Sequence, residues 1–305
     1  MKAIAEEGVG MEKRIIVTGA TDGIGLAVVK GFLKEGCRVI GIARNPAKAE
    51  KIVADLKNDR LSFQFGDLSS VRSVHDLGLA LNRLYGKEGI DALVHVAGAV
   101  GTHRETTADD YERTFAINHL AVHQLTDLCL PLLKRRPGSR VLVVSSRAHK
   151  VGIVHFHDVN LKHGYWLLTA YAQSKLMNVL YVRDMARRID PRMVSFYAID
   201  PGLVDTGIVT KTTPGLERWI WSWRRKAGEP ALVPAGHMVR IALDPVFAGV
   251  SGRYWKNGET IHPAMLSGRV KTMNRLHALC DDMIAKALSR PVLPKSPDPA
   301  LPDHR

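Results

Sequence analysis

The sequence predicts one α/β domain built on a doubly wound parallel sheet, and three observations carry that expectation. Over the first 130 or so residues, short β-branched runs alternate with longer amphipathic stretches, the pattern of parallel strands joined by crossover helices. The runs are apolar almost throughout, as strands covered on both faces must be. A glycine-rich turn follows the first run and opens a helix, the place where such sheets bind ligands.

The elements follow in order. Strands are predicted near Arg14 to Thr18, Arg38 to Ala43, Leu61 to Phe65 and Ala92 to Val96. Leu26, Val29, Phe32 and Leu33 recur at helical spacing between the first two, with Gly36 as a stop signal. A long helix is expected around Asp109 to Leu133, then a strand at Arg140 to Ser145, a helix around Ala170 to Arg188 and a strand at Met193 to Ile199. Residues 1–12 read as a flexible N-terminal segment before a domain spanning 13–290. Pro291, Pro294, Pro297, Pro299 and Pro302 punctuate a flexible tail from 291 to 305.

Composition excludes several classes. The 305 residues are 46% hydrophobic and 24% charged, enough for a large two-sided core and against general disorder. Cys37, Cys129 and Cys280 lie far apart and form no C-x-x-C pair, so neither a disulfide framework nor a zinc knuckle is expected, and a reducing cytoplasm fits. No apolar run reaches the roughly 20 residues of a membrane span, so the protein is expected to be soluble. The net charge of +13 is dispersed over the chain and carries no nucleic-acid motif. A phosphorylated cofactor or an anionic membrane surface would exploit that field.

The chemistry-bearing motifs lie at the carboxyl ends of the strands. In Thr18-Gly19-Ala20-Thr21-Asp22-Gly23-Ile24-Gly25, Gly19 permits a tight turn, Gly23 a close backbone approach to pyrophosphate, and Gly25 close packing of helix on strand. Tyr171 and Lys175 are four apart, hence on one helical face. A nearby ammonium stabilises a phenolate, bringing tyrosine toward proton exchange at neutral pH. Ser145 and Ser146 end the preceding strand, with Ser146 the candidate hydrogen-bond donor to a substrate oxygen.

Together these resemble the short-chain dehydrogenase/reductase family over about residues 13 to 255. The glycine spacing is that family's G-x-x-x-G-x-G. The resemblance implies a seven-stranded sheet and assigns further roles. Asn118 would hold a water in a proton relay, and Asp67 and Leu68 would lie near the adenine. Ala97 and Gly98 would border the cofactor, and Pro201, Gly202, Val204 and Thr206 would contact its nicotinamide end. Thr21, Asp22 and Ile24 would join the glycines around the pyrophosphate, and Tyr171 and Lys175 would also touch the cofactor. The Ser145-Ser146-Arg147-Ala148-His149 run, the 25-residue step from Ser146 to Tyr171, and Gly252-Arg253-Tyr254 are similar to the retinol-dehydrogenase-like branch. One departure is His95-Val96, which stands where the family has two asparagines.

The resemblance implies an enzyme that interconverts a carbonyl and an alcohol with a nicotinamide cofactor. Ala43 and Arg44 follow the second strand where NAD-selective enzymes usually carry an acid, so NADP(H) is the expected cofactor, with NAD(H) the alternative. Leu216, Trp219, Ile220 and Trp223 form an apolar stripe in a lid expected over 211–228, with Trp219 and Trp223 as candidate pocket residues for a bulky apolar substrate. The same stripe, flanked by arginines, leaves open a peripheral membrane contact, and a homo-oligomer also stays open. A metal at His155 and His157, with His149 and His163 nearby, is not expected, because no cysteine accompanies them and the chemistry requires none. Tyr165 is set aside as catalyst because its fourth neighbour is Thr169. The rival readings are a dinucleotide-binding regulator without chemistry and a nucleotide-sugar epimerase, whose usual G-x-x-G-x-x-G Gly19, Gly23 and Gly25 do not match.

Overall fold

A computed structural model describes residues 12–202 and 230–291. Its strands are β1 (Arg14–Thr18), β2 (Arg38–Ala43), β3 (Leu61–Phe65), β4 (Ala92–His95), β5 (Ser139–Val144), β6 (Val194–Asp200), β7 (Arg253–Lys256) and β8 (Glu259–Ile261). They form one sheet in the order β3-β2-β1-β4-β5-β6-β7-β8. All pairings are parallel except β7 with β8, and the order reverses between β1 and β4.

Strand side chains alternate between two faces, and each face has its own core. Ile15 and Val17 of β1 join a core with Val28 and Phe32, whereas Ile16 joins one with Leu77, Leu125 and Val179. All three β1 residues are wholly buried, and each such side chain contributes about 1.5–3 kcal/mol through burial. The layers are helices α1 (Gly23–Lys34) and α6 (Leu232–Leu243) on the first face. Helices α3 (Val71–Tyr85), α4 (Ala121–Lys134) and α5 (Leu167–Arg188) cover the second. Helix α2 (Pro46–Leu56) links β2 to β3. The last described helix, α7 (Val270–Ser289), adds a third core in which Met273, Leu276 and Cys280 meet Phe115, Leu176 and Leu180.

Helix starts follow their caps. Asp22, Asn45 and Ser70 accept N–H groups at the first turns of α1, α2 and α3, and Pro46 stands where its missing N–H costs nothing. The helix expected from Asp109 begins instead at Arg113, because Asp109 Oδ2 accepts Val71 N–H at 2.7 Å and Glu112 caps Thr114 and Phe115. A π turn over Ala116–Leu120 then leads into α4.

The sheet has eight strands where the resemblance implies seven. Asn257 and Gly258, with φ of 53° and 80°, turn the chain back in two residues so that β8 pairs with β7. Cys37, Cys129 and Cys280 are free and buried, in keeping with the reading of unpaired cysteines. Among the described residues no helix is long and apolar enough to cross a membrane.

Candidate active site

The switch between β1 and β4 opens a crevice at the carboxyl edge, and its two walls are built differently. On one side Gly19 and Gly23 hold φ of +68° and +47°. A Cβ on Gly19 would sit 2.9 Å from Ala97 Cα, and one on Gly25 would collide with the Gly19 carbonyl oxygen. Only glycine lets this turn close. The amides at the start of α1 then face the crevice, with Thr21 and Gly23 half-buried and Ile24 anchored in the core.

On the other side Thr18 Oγ1 accepts both Val96 N–H at 3.1 Å and Ala97 N–H at 3.2 Å. His95, 3% exposed, shares a 2.9 Å hydrogen bond between Nε2 and Thr126 Oγ1 on α4, and burial pulls its pKa down to about 3. The ring is therefore neutral. At the first of the two asparagine positions, His95 thus ties β4 to α4. Thr18, Leu68, His95 and Ala97 meet Ile117, Ala121 and Val122 beside this loop.

The expected cofactor residues at the rim are placed with their own partners. Asp67 Oδ1 accepts both the N–H and the hydroxyl of Ser69, so its local cap is formed. Asp22 accepts Gly23 N–H at 2.9 Å and pairs with Lys48 Nζ at 2.7 Å, and the Lys48 ammonium holds the Asp22 carboxyl below its ordinary value. Arg44 is exposed at the end of β2, with Lys48 on the first turn of the helix that follows. Pro201 and Gly202 follow β6, Gly202 with φ of +73° and its N–H held by Asp200 Oδ1 at 3.0 Å. Val204, Thr206, the 211–228 segment, Trp219 and Trp223 lie outside the described residues.

Helix α5 carries Tyr171 and Lys175 to the same edge. Lys175 Nζ stands 5.6 Å from the Tyr171 ring centroid and donates to the Val144 carbonyl at 3.0 Å. Lys175 is 3% exposed, and burial pulls its ammonium down to about 8. Ser145 Oγ donates to the Lys175 carbonyl at 2.8 Å, pinning β5 to α5 at that residue. A Cβ on Gly98 would lie 3.7 Å from Lys175 Nζ and 3.5 Å from Asn118 Oδ1, so these three meet.

Asn118, wholly buried in the π turn, clasps Ala99: Oδ1 accepts its N–H at 2.7 Å and Nδ2 donates to its carbonyl at 3.0 Å. Nδ2 also donates to Ser174 Oγ, which donates in turn to the Tyr171 carbonyl. Ser146 accepts Ala148 N–H at 3.2 Å and so caps the turn Arg147–Val151.

Two positioning groups act here to which sequence reading gave no such role. His149 Nε2 accepts Ala264 N–H at 3.0 Å, which fixes the proton on Nδ1, and Nδ1 donates to the Ser146 carbonyl at 2.7 Å. Its ring lies 4.4 Å from that of Tyr254, whose hydroxyl donates to Asp200 Oδ2 at 2.9 Å. Burial and the Asp200 charge push the Tyr254 phenol far up, so it stays a donor. Lys48 is a third group overlooked, although Asn45-Pro46 is a helix start that places it beside the loop. Tyr165, by contrast, donates to the Gly101 carbonyl, and burial raises its pKa to about 12. His155, His157 and His163 are exposed, and His149 is engaged as described.

This arrangement matches a known family: residues 13–217 fit the model for short chain dehydrogenase. The chain belongs to the short-chain dehydrogenase family. It is 33% identical to mouse (Mus musculus) Retinol dehydrogenase 14 over 274 residues, covering 83% of this chain and 81% of that one, which places it in the retinol-dehydrogenase-like branch. Two solved structures share the fold. A protein of Mycobacterium Paratuberculosis superposes with a TM-score of 0.70 at 23% identity, covering 90% of this chain and 93% of that one. The NADPH-bound carbonyl reductase from chicken fatty liver gives a TM-score of 0.63 at 19% identity, covering 83% and 99%. As a short-chain dehydrogenase, the protein is an oxidoreductase with a cradle shaped for a nicotinamide dinucleotide: its glycine wall admits no Cβ at Gly19 or Gly25.

Proposed function

We propose that this short-chain dehydrogenase uses NADP(H) to interconvert a carbonyl and an alcohol on a bulky apolar substrate. The observation that carries the reading is the meeting of Tyr171, Lys175, Asn118 and Gly98 beside the glycine cradle. When bound, the nicotinamide supplies or accepts the hydride.

The chain's own groups then handle position and proton. Gly19, Thr21, Gly23, Ile24 and Gly25 hold the pyrophosphate against the α1 N-terminus, while Asp67, Leu68 and Ala97 border the adenosine. Pro201, Gly202, Val204 and Thr206 hold the nicotinamide end. Lys175 grips the ribose, whose hydroxyls give its buried ammonium polar partners. Tyr171 delivers the proton to the carbonyl oxygen, and Ser146 donates a hydrogen bond to that oxygen. Asn118, whose side-chain amide is engaged by Ala99 and Ser174, holds the relay water. Alcohol oxidation is the same path reversed.

Arg44 and Lys48 favour NADP(H): both are cations beside the end of β2, and no carboxylate directly follows the strand to repel a 2′-phosphate. Asp22 takes part of the Lys48 charge, so Arg44 carries most of the preference. An apolar substrate is supported by the Trp219 and Trp223 stripe and by the word retinol in the relative's name. The stripe's basic flank also supports peripheral contact with an anionic bilayer.

The test is turnover of aldehydes and ketones of rising chain length with NADPH and with NADH. Tyr171→Phe is expected to lower kcat by about 100-fold or more while NADPH still binds, the scale of a lost general acid. Arg44→Ala is expected to raise KM for NADPH about tenfold and leave NADH unchanged. NADPH binding without turnover of any substrate would instead support a dinucleotide-binding regulator.

A further inference from the structure

Two helices, α4 and α7, repeat one pattern outside the proposed catalytic set. Helix α4 carries His123 and Asp127, and α7 carries His277 and Asp281, each a His-x-x-x-Asp that puts both side chains on one face. One ligand atom from each of the four lies within 4.8 Å of all the others. His123 Nε2 is 2.8 Å from Asp281 Oδ1 and 3.3 Å from Asp127 Oδ2, and His277 Nε2 is 3.7 Å from Asp281 Oδ2.

The surroundings suit a cation. The His123 side chain is 1% exposed and the Asp281 side chain 53%, giving a buried floor and an open rim for entry. His123 Nδ1 is buried with no partner, so the engaged nitrogen of that ring is the one facing the cluster. Tyr181 donates to Asp127 Oδ1 at 3.3 Å, and the other oxygen is the one turned to His123. His277 Nδ1 is 3.1 Å from Asp184 Oδ2, near enough for attraction although out of line for a hydrogen bond. Asp184 is itself held by Arg187 and Arg188. A carboxylate behind an imidazole is the arrangement that fixes the metal-facing tautomer in metal sites.

We propose that His123, Asp127, His277 and Asp281 bind a divalent transition metal of the Zn²⁺ class, which clamps α7 to α4. Two neutral imidazoles and two carboxylates make an N2O2 set of charge −2, which a dication neutralises. Bond lengths of about 2.0–2.1 Å in a tetrahedral site put ligand atoms about 3.3 Å apart, so small rotamer shifts close the set. Binding uses the Nε2 lone pair of His123, so the ring carries its proton on Nδ1 and the Nε2–Asp281 hydrogen bond gives way to the ion. Four protein ligands leave no open position, so the site is structural and separate from hydride transfer.

The experiment uses the untagged full chain, stripped with EDTA and dialysed. Titration with Co²⁺ is expected to give the intense visible bands of a tetrahedral ion, saturating at one equivalent and lost on adding Zn²⁺. Zn²⁺ at about a hundred times its Kd is expected to raise Tm by about 5 °C. His277→Gln and Asp281→Asn sit at the rim, and circular dichroism with NADPH binding checks that each still folds. Each is expected to abolish the bands and weaken Zn²⁺ binding by about 10-fold or more. Weak bands of an aquated ion, or bands and a Tm rise that survive both variants, would overturn the proposal and leave an ion-pair clasp only.

Discussion

The two walls of the crevice solve one problem by opposite means. The β1–α1 turn is shaped by atoms that are absent: Gly19 and Gly25 leave gaps that neighbouring backbone fills. The loop after β4 is shaped by hydrogen bonds that are present, from Thr18 to Val96 and Ala97 and from His95 to Thr126. A gap has one chemical solution, whereas a hydrogen bond has several. The glycine wall is thus held by shape and the other wall by hydrogen bonds.

Three substitutions break or sharpen that contrast. Gly25→Ala is expected to have the largest effect, because its methyl meets the Gly19 carbonyl and backbone must shift. Overpacking of about 1–3 kcal/mol translates into NADPH binding weaker by about 10- to 100-fold, read by fluorescence titration. Unchanged binding would show that the turn is not held by shape. Thr18→Val keeps the volume and deletes the acceptor for two N–H groups. An expected loss of about 1–3 kcal/mol appears as a lower midpoint in urea. His95→Gln should do least, within about 1 kcal/mol, since the longer amide reaches Thr126 and the ring it replaces is neutral. If it costs as much as Thr18→Val, the second wall is as strict as the first.

Sequence reading succeeded where one local rule dominates. Strands β1 to β6 lie within about two residues of expectation, because runs such as Ile15-Ile16-Val17 have no competing solvent-facing pattern. Helical spacing put Tyr171 and Lys175 on one face, and Lys175 Nζ stands 5.6 Å from the Tyr171 ring centroid. The tie from His149 to Ala264 spans 115 residues, and no local pattern contains it. Strand β8 did leave a signal, the Asn257-Gly258 turn pair, but its three residues Glu259-Thr260-Ile261 are too short and polar to read as a strand. The Asp109 start failed for another reason: its carboxylate had a better partner in Val71, set by tertiary contact.

The tie at His149 also sets an order of assembly. The Ser146 carbonyl is held through a ring whose other nitrogen is fastened to Ala264, well past the residues that match the family model. During synthesis the glycine cradle emerges first, and the segment bearing Ser146 waits for more than a hundred further residues before its anchor exists. The glycine cradle is therefore made well before the Ser146 carbonyl has the contact that anchors it.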